Sequence, residues 1–208
     1  TNAGGPGIMA TDACEKNGIA LASLGSKTID ELKKFLPDAA NLYNPVDILG
    51  DALSDRYRKA LEAVIQDSNV DAVVIMLTPQ GMTQSLKTAE SIVEVIGGSD
   101  RNIPVLTSFM GGSEVEKAIE FLTEKNIPNF GIPEEAIRTL KVMMDYTEWK
   151  SAGSFPVEKF DIDSLKVKEI LEQCRCEGRM ELGEMESREI LKIYGIRIPE
   201  AELACDIK

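Results

Sequence analysis

A chain of 208 residues with 43% hydrophobic and 28% charged side chains has the make-up of a folded protein, one good-sized domain with an appendage, which excludes disordered and fibrous classes. Its formal charge of −12, from 35 acidic against 23 basic residues, repels phosphate backbones and anionic lipid, so nucleic acid and membrane are poor partners. Histidine is absent, which removes the commonest general base and metal ligand from these residues.

The longest strongly apolar run, 70–77, is far short of the ~18–20 residues that span a bilayer, and no basic-then-apolar leader opens the sequence, so a cytoplasmic location is expected. Cys14, Cys174, Cys176 and Cys205 are scattered. The close pair Cys174 and Cys176 fits neither a zinc knuckle nor a Cys-x-x-Cys motif, and reduced thiols with no metal site are expected.

In chain order, the first residues read as the end of a strand, and a central first strand is expected just upstream of Thr1. Gly4, Gly5, Pro6 and Gly7 read as a tight loop opening a helix over 8–17 that Gly18 stops. Residues 19–22 are a short apolar strand candidate. Thr28 and Glu31 have capping-box spacing for a helix ended by Pro37. The turn at 44–47 precedes a helix over 55–66 with Tyr57, Leu61, Val64 and Ile65 on one face. Residues 71–77 and 104–109 are continuous apolar runs, as in strands buried on both faces of a parallel sheet. A helix over 83–96 lies between them.

Ser113 and Glu116 repeat the capping-box spacing for a helix to 125, 128–131 is a short strand, and Pro133 opens a helix to about 149. Strands alternating with helices predict an α/β fold, a flavodoxin-like doubly wound parallel sheet in three αβα layers, over 1–150. A linker of small residues over 151–156 and helices over 164–172 and 184–194 form a short helical extension with too little apolar surface for a core of its own.

Ala3, Gly4, Gly5, Pro6, Gly7 and Ile8 are the candidate phosphate-binding residues, because unpaired N–H groups and the positive end of a helix dipole favour an anion. The loop is neither a Walker A nor a Gly-x-Gly-x-x-Gly motif, since Ala10 stands in place of the third glycine. Asn44, Asp47, Thr78, Pro79, Gln80, Gly111 and Gly112 fall at strand ends, where open α/β sheets take ligands, and are candidate cleft-lining residues. Any of these loops taken singly is a plain connection; together on one edge they point to a site. Asp47 reads as turn-stabilising, Asp12 as a helix-surface carboxylate, and no residue is assigned a catalytic role. Met76, Met110, Met143 and Met144 read as core fillers, and Trp149 as a pin between the last helix and the sheet.

The stretches Thr1-Asn2-Ala3-Gly4-Gly5-Pro6-Gly7-Ile8-Met9-Ala10-Thr11-Asp12, Asn44-Pro45-Val46-Asp47, Arg56-Tyr57, Val70-Asp71-Ala72-Val73, Pro79-Gln80-Gly81-Met82-Thr83 and Met110-Gly111-Gly112 resemble the ADP-forming acetyl-CoA (acyl-CoA) synthetases, relatives of succinyl-CoA synthetase. The resemblance spans about 1–148 and implies the second flavodoxin-like ligase domain of the α part. Glu186-Ser187-Arg188-Glu189-Ile190-Leu191-Lys192-Ile193-Tyr194-Gly195-Ile196 is similar to the opening of the ATP-grasp domain of the β part, which implies a linker with a helix over 151–183 and the start of that domain over 184–208.

What the resemblance implies is an acid–thiol ligase, acyl-CoA + ADP + phosphate = acid + ATP + CoA, working through a phosphohistidine carried outside these residues. ATP or ADP, Mg²⁺ and CoA would serve the whole enzyme, a homo-oligomer, and none would bind this piece alone. Its partners would be the phosphohistidine-bearing, CoA-binding and ATP-grasp domains and a phosphate or acyl phosphate. Rival readings are a ligand-sensing region of a protein acetyltransferase and a non-catalytic phosphate-binding or assembly module.

Overall fold

The computed structural model describes residues 1–153, 160–202 and 204. The chain divides into two compact units, Thr1–Ala152 and Gly153–Lys208. Half of the expected linker, 154–156, and Cys205 lie outside the described residues.

In the first unit the two β-branched runs pair. β1 (Val73–Leu77) and β2 (Val105–Phe109) form a parallel ladder that sets Val73 beside Val105 and Leu77 beside Phe109. Residues 128–131, expected as a strand, contribute one parallel bridge from Asn129 to Thr107. The reason is local: the Asn129 side chain takes over a further rung, its Oδ1 accepting from Phe109 N–H at 2.8 Å.

The two-residue repeat of a strand sends alternate side chains to opposite faces. Ile75, Leu77 and Phe109 enter the main core with Leu32, Tyr57, Leu61, Ile92 and Leu122. These come from α2 (Ser26–Lys33), α3 (Ser54–Ile65), α4 (Ser85–Gly98) and α5 (Glu116–Glu124). Met76 and Leu106 face the other way, Met76 against Ala10, Ala13, Cys14 and Ile137, and Leu106 against Ala136 and Leu140. Those belong to α1 (Gly4–Lys16) and α6 (Pro133–Ser151). Helices cover both faces, giving the expected three layers. Each fully buried aliphatic side chain, such as Leu77 or Ile92 at 0% exposure, contributes about 1.5–3 kcal/mol by leaving water.

Several elements start elsewhere than the sequence predicts. α1 begins at Gly4, so the glycines are its first turn rather than a loop before it; Pro6 is allowed there because a first-turn N–H has no acceptor to lose. Neither capping box forms. α2 opens at Ser26 with Gly25 as its N-cap, and the Gly25 N–H donates to Asp67 Oδ2 at 2.8 Å, so a carboxylate distant in sequence does the local cap's work. Before α5 a short 3-10 turn, Gly112–Glu114, absorbs Ser113, and Val115 becomes the N-cap.

Residues 19–22 form no ladder, although Ile19 packs against the cluster of Ala10, Ala13, Cys14, Met76 and Ile137. A groove of about 570 Å³ lies there, lined by Ala20, Leu21 and Ala22 as well as Val74 and Met76 of β1. Without a neighbour at ladder distance an extended segment has nothing to pair with.

The far half of α6 corrects two further expectations. Met143 and Met144 are 42% and 37% exposed, and Trp149 is 67% exposed. Its ring lies 5.8 Å from that of Tyr146. Trp149 therefore stacks along its own helix and pins nothing. Met76 is buried as expected, and Met110 packs partly buried beside it.

The second unit holds α7 (Ser164–Cys176) and α8 (Glu184–Ile193). Asp163 caps α7 by accepting from Lys166 N–H at 3.1 Å. Cys174 is the one buried side chain among its described residues, and a polar clasp holds the turn between the helices. In that clasp Arg179 Nη1 donates to Glu186 Oε2 at 2.9 Å and Gly183 N–H to the same oxygen at 2.6 Å. No helix among the described residues is long and apolar enough to cross a membrane.

Candidate functional site

At the carboxyl end of β1 the chain turns away from the sheet, and Asn2 organises that end. It is 1% exposed, its Nδ2 donates to Thr78 O at 2.8 Å, and its Oδ1 accepts from Thr78 N–H at 2.9 Å. One amide side chain thus satisfies both main-chain groups of the residue after β1, as a neighbouring strand would. Asn2 is absent from the sequence-derived candidates. Its signal was its place, an amide directly before a glycine-rich helix start.

The four candidate loops meet through a series of close approaches. A Cβ on Gly4 would lie 3.4 Å from Asp47 Oδ2, and one on Gly50 would lie 3.5 Å from Gln80 Cγ. On Gly111, where φ is +145°, a Cβ would fall 2.2 Å from Pro79 Cγ, a distance no pair of carbons tolerates. Only glycine lets the loops after β1 and β2 touch. Asp47 Oδ1 accepts from Leu49 N–H at 2.9 Å and holds Leu49 at φ +71°, the turn-stabilising role expected of it. Asn44 points elsewhere, its Nδ2 donating to Ala22 O at 3.1 Å.

Within the glycine run the residues divide by role. The Ala3 N–H is engaged by Thr1 Oγ1 at 3.1 Å, and Pro6 has none to offer. Gly7 is buried and abuts Pro45, whose Cγ would lie 3.2 Å from an added Cβ. Ile8 is 63% exposed. Gly4 and Gly5 are exposed, and none of the described hydrogen bonds outside the helices reaches their N–H groups. These two amides, at the positive end of a 13-residue helix, are the part of the run that can meet an anion.

Among the described residues three buried side-chain oxygens lack a partner: Thr78 Oγ1, Ser108 Oγ and Glu134 Oε2. They sit at the carboxyl ends of β1 and β2 and in the first turn of α6. Ser108 is wholly buried, and an unmet buried hydroxyl costs about 1–3 kcal/mol. Ser108 was not among the sequence candidates, because a serine in an apolar strand carries no mark of where it points.

Titratable groups of α1, α3 and the loop after Asp47 are held in fixed states. Burial first, and the Asp47 charge second, push the Tyr57 phenol far up, so it stays a donor to Met76 O at 2.9 Å. Burial raises the Cys14 thiol and keeps it from acting as a thiolate. Arg56 spends its guanidinium on Ile48 O at 2.9 Å and on Asp51, bracing the loop after Asp47. Among the described residues no group of three or more His, Cys, Asp and Glu side chains gathers as a metal site would require.

A three-layer α/β domain whose loops converge on an open helix N-terminus at the carboxyl edge of its strands is the architecture in which such domains take ligands. The chain belongs to the Ligase-CoA domain family, whose model matches residues 1–155. It is 38% identical to the acetate–CoA ligase [ADP-forming] I of Archaeoglobus fulgidus over 209 residues, covering 100% of this chain and 29% of that relative. It is also 38% identical to the 4-hydroxybutyrate–CoA ligase [ADP-forming] of Nitrosopumilus maritimus, over 98% of this chain and 29% of that protein.

Among solved structures it resembles the Candidatus Korarchaeum cryptofilum dinucleotide-forming acetyl-coenzyme A synthetase 1 in complex with phosphate and ADP. The TM-score is 0.69 at 31% identity, over 74% of this chain and 34% of that one. The family resemblance and the flavodoxin-like fold expected from the motifs are thus borne out. The chain spans under a third of the length of the curated relatives it matches.

Proposed function

We propose that this chain is the part of an ADP-forming acyl-CoA ligase that holds a phosphoryl group, with the Gly4 and Gly5 N–H groups at the start of α1 as the donors. The observation that carries the reading is that these two amides are exposed and unengaged where four loops meet. A doubly charged phosphoryl group suits oriented backbone N–H donors, which hold it without a cationic side chain. The partnerless Thr78 Oγ1, on the residue that Asn2 holds, suits a polar ligand or ordered water.

The reaction is acyl-CoA + ADP + phosphate = acid + ATP + CoA, passing through a histidine outside these residues. In the cytoplasm, that histidine, the CoA-binding domain and the ATP-grasp domain complete the site, and nucleotide and Mg²⁺ bind there. Equal identity to relatives named for acetate and for 4-hydroxybutyrate favours an acid-binding pocket on another domain.

Asp47 is the counterweight. Its carboxylate beside Gly4 already complements the helix dipole and opposes a second anion. Titration of the chain with inorganic phosphate, followed by amide NMR, therefore has a built-in control. The Gly4 and Gly5 resonances are expected to shift saturably, and Asp47→Asn to tighten binding by a few fold, about 1 kcal/mol. If neither amide moves, or if Asp47→Asn weakens binding, the phosphoryl site is not here.

A further inference from the structure

A phenol from α3 and the Asn2 amide share one edge of β1. Val73 N–H donates to Pro104 O, and Leu77 O accepts from Met110 N–H, both at 2.9 Å. The odd-numbered residues therefore bond towards β2, and the main-chain groups of Met76 and Thr78 point the other way. On that side Tyr57 reaches across from α3 and its hydroxyl donates to Met76 O at 2.9 Å. The next groups along the edge, Thr78 N–H and Thr78 O, are met by the Asn2 side chain. The Asn2 main-chain N–H is turned to the Tyr57 oxygen. One hydroxyl thus links α3, the end of β1 and the residue two places before α1.

The placing of Asn2 matters at the anion site for a geometric reason. Ala3 is extended, with φ −149° and ψ 131°, and α1 begins directly after it at Gly4. Two planar peptide units separate Asn2 from the Gly4 N–H, so a rotation of Asn2 re-aims the free donors of the first turn. Packing alone does not hold the phenol in place. Tyr57 is 4% exposed, yet it lines a cavity of about 140 Å³, which gives the ring room to move once its bonds are gone. Phenylalanine would bury the same ring, so the oxygen alone makes the link.

We infer that Tyr57 is a positioning residue for the phosphoryl group, its hydroxyl setting the direction of the Gly4 and Gly5 N–H groups through Asn2. This role rests on the phosphoryl reading above and adds the residue that fixes the donors. Tyr57 touches no ligand; it acts from beneath, through the chain that leads into α1.

Tyr57→Phe keeps the ring and removes the oxygen. Phosphate affinity, read from the Gly4 and Gly5 amides by NMR, should fall about fivefold, the order of one hydrogen bond. Ile65→Val, in the same helix and the same core, is the control: it too should lower Tm, but phosphate affinity should stay at the wild-type value. Equal weakening in both variants makes Tyr57 a merely structural residue and overturns the inference. So does unchanged affinity in Tyr57→Phe while the wild type binds, and in neither case does the phosphoryl reading fall. A wild-type chain whose Gly4 and Gly5 amides never respond removes the reading and this role together. Should Tyr57→Phe fail to fold, 3-fluorotyrosine in place of tyrosine leaves the hydrogen bonds standing. The Tyr57 fluorine, buried where those of Tyr43, Tyr146 and Tyr194 are exposed, should then shift with the same phosphate saturation as the two amides. A Tyr57 resonance that stays put overturns the inference.

Discussion

Asn2 and Gly111 show how single residues place the loops. The Asn2 amide caps the end of β1, and Gly111 at φ +145° lets Pro79 approach to a distance that no side chain allows. Gly112, next in line at φ +59°, has nothing within 4 Å of an added Cβ. The pair separates conformational strain from steric contact. Gly112→Ala is expected to cost about 1–2 kcal/mol, the ordinary penalty for a left-handed residue. Gly111→Ala should cost clearly more, at least about 3 kcal/mol, because overlap is added to strain. Urea unfolding of the two variants checks this, and equal midpoints would mean that Pro79 moves aside freely. From sequence both glycines were legible as loop residues of one cleft. The contact that makes Gly111 irreplaceable joins positions 32 apart in the chain and leaves no local mark.

The first turn of α1 is the element on which the site depends. Gly5 precedes Pro6 inside a helix, where the proline ring crowds the side chain and N–H of the residue before it and drives that residue out of the helical region. Glycine, without Cβ, relieves the crowding. Gly5→Ala, although open space surrounds the position, should therefore fray the first turn and lower stability by about 1 kcal/mol. Phosphate affinity should fall with it as the Gly4 and Gly5 amides lose their alignment. Should Ala raise helix stability there, as it does in an ordinary first turn, this account of Gly5 fails; chemical denaturation and phosphate titration read the two effects. The glycine run was legible as an anion site but not as helix, because glycine and proline read locally as loop. Both capping boxes misled for a related reason. Thr28 and Ser113 have the right spacing, yet Asp67 reaches α2 from afar and a 3-10 turn takes the start of α5.

At the scale of the whole molecule, the two units are stabilised differently. Thr1–Ala152 rests on apolar layers, whereas the described part of Gly153–Lys208 rests on the Arg179–Glu186 clasp. The Arg179 hydrogen bonds first, then the Gly183 N–H, hold the Glu186 carboxyl at about 2, well below the carboxylate range. A depressed acid stabilises the fold above its ordinary titration, and that contribution is lost as pH falls from about 4.5 through about 2. Amide NMR of α8 in acid should show it melting in that window, and Arg179→Gln should return the Glu186 titration to the ordinary range. If α8 melts at the same pH in both proteins, the clasp does not hold it.

Periodicity and composition by themselves determined the alternation of strands and helices, the two buried strands, and which loops crowd the carboxyl edge. Those features follow from side-chain spacing and from the conformations that glycine and proline permit, which are local properties. Only the tertiary structure decided that residues 19–22 stay unpaired, that Trp149 faces outward, that Asn2 caps β1, and that Gly4 and Gly5 alone of the glycine run offer free amides. Each of these depends on which atoms from distant positions arrive within bonding distance, and backbone hydrogen bonds and close packing act over a few ångströms whatever the separation in sequence.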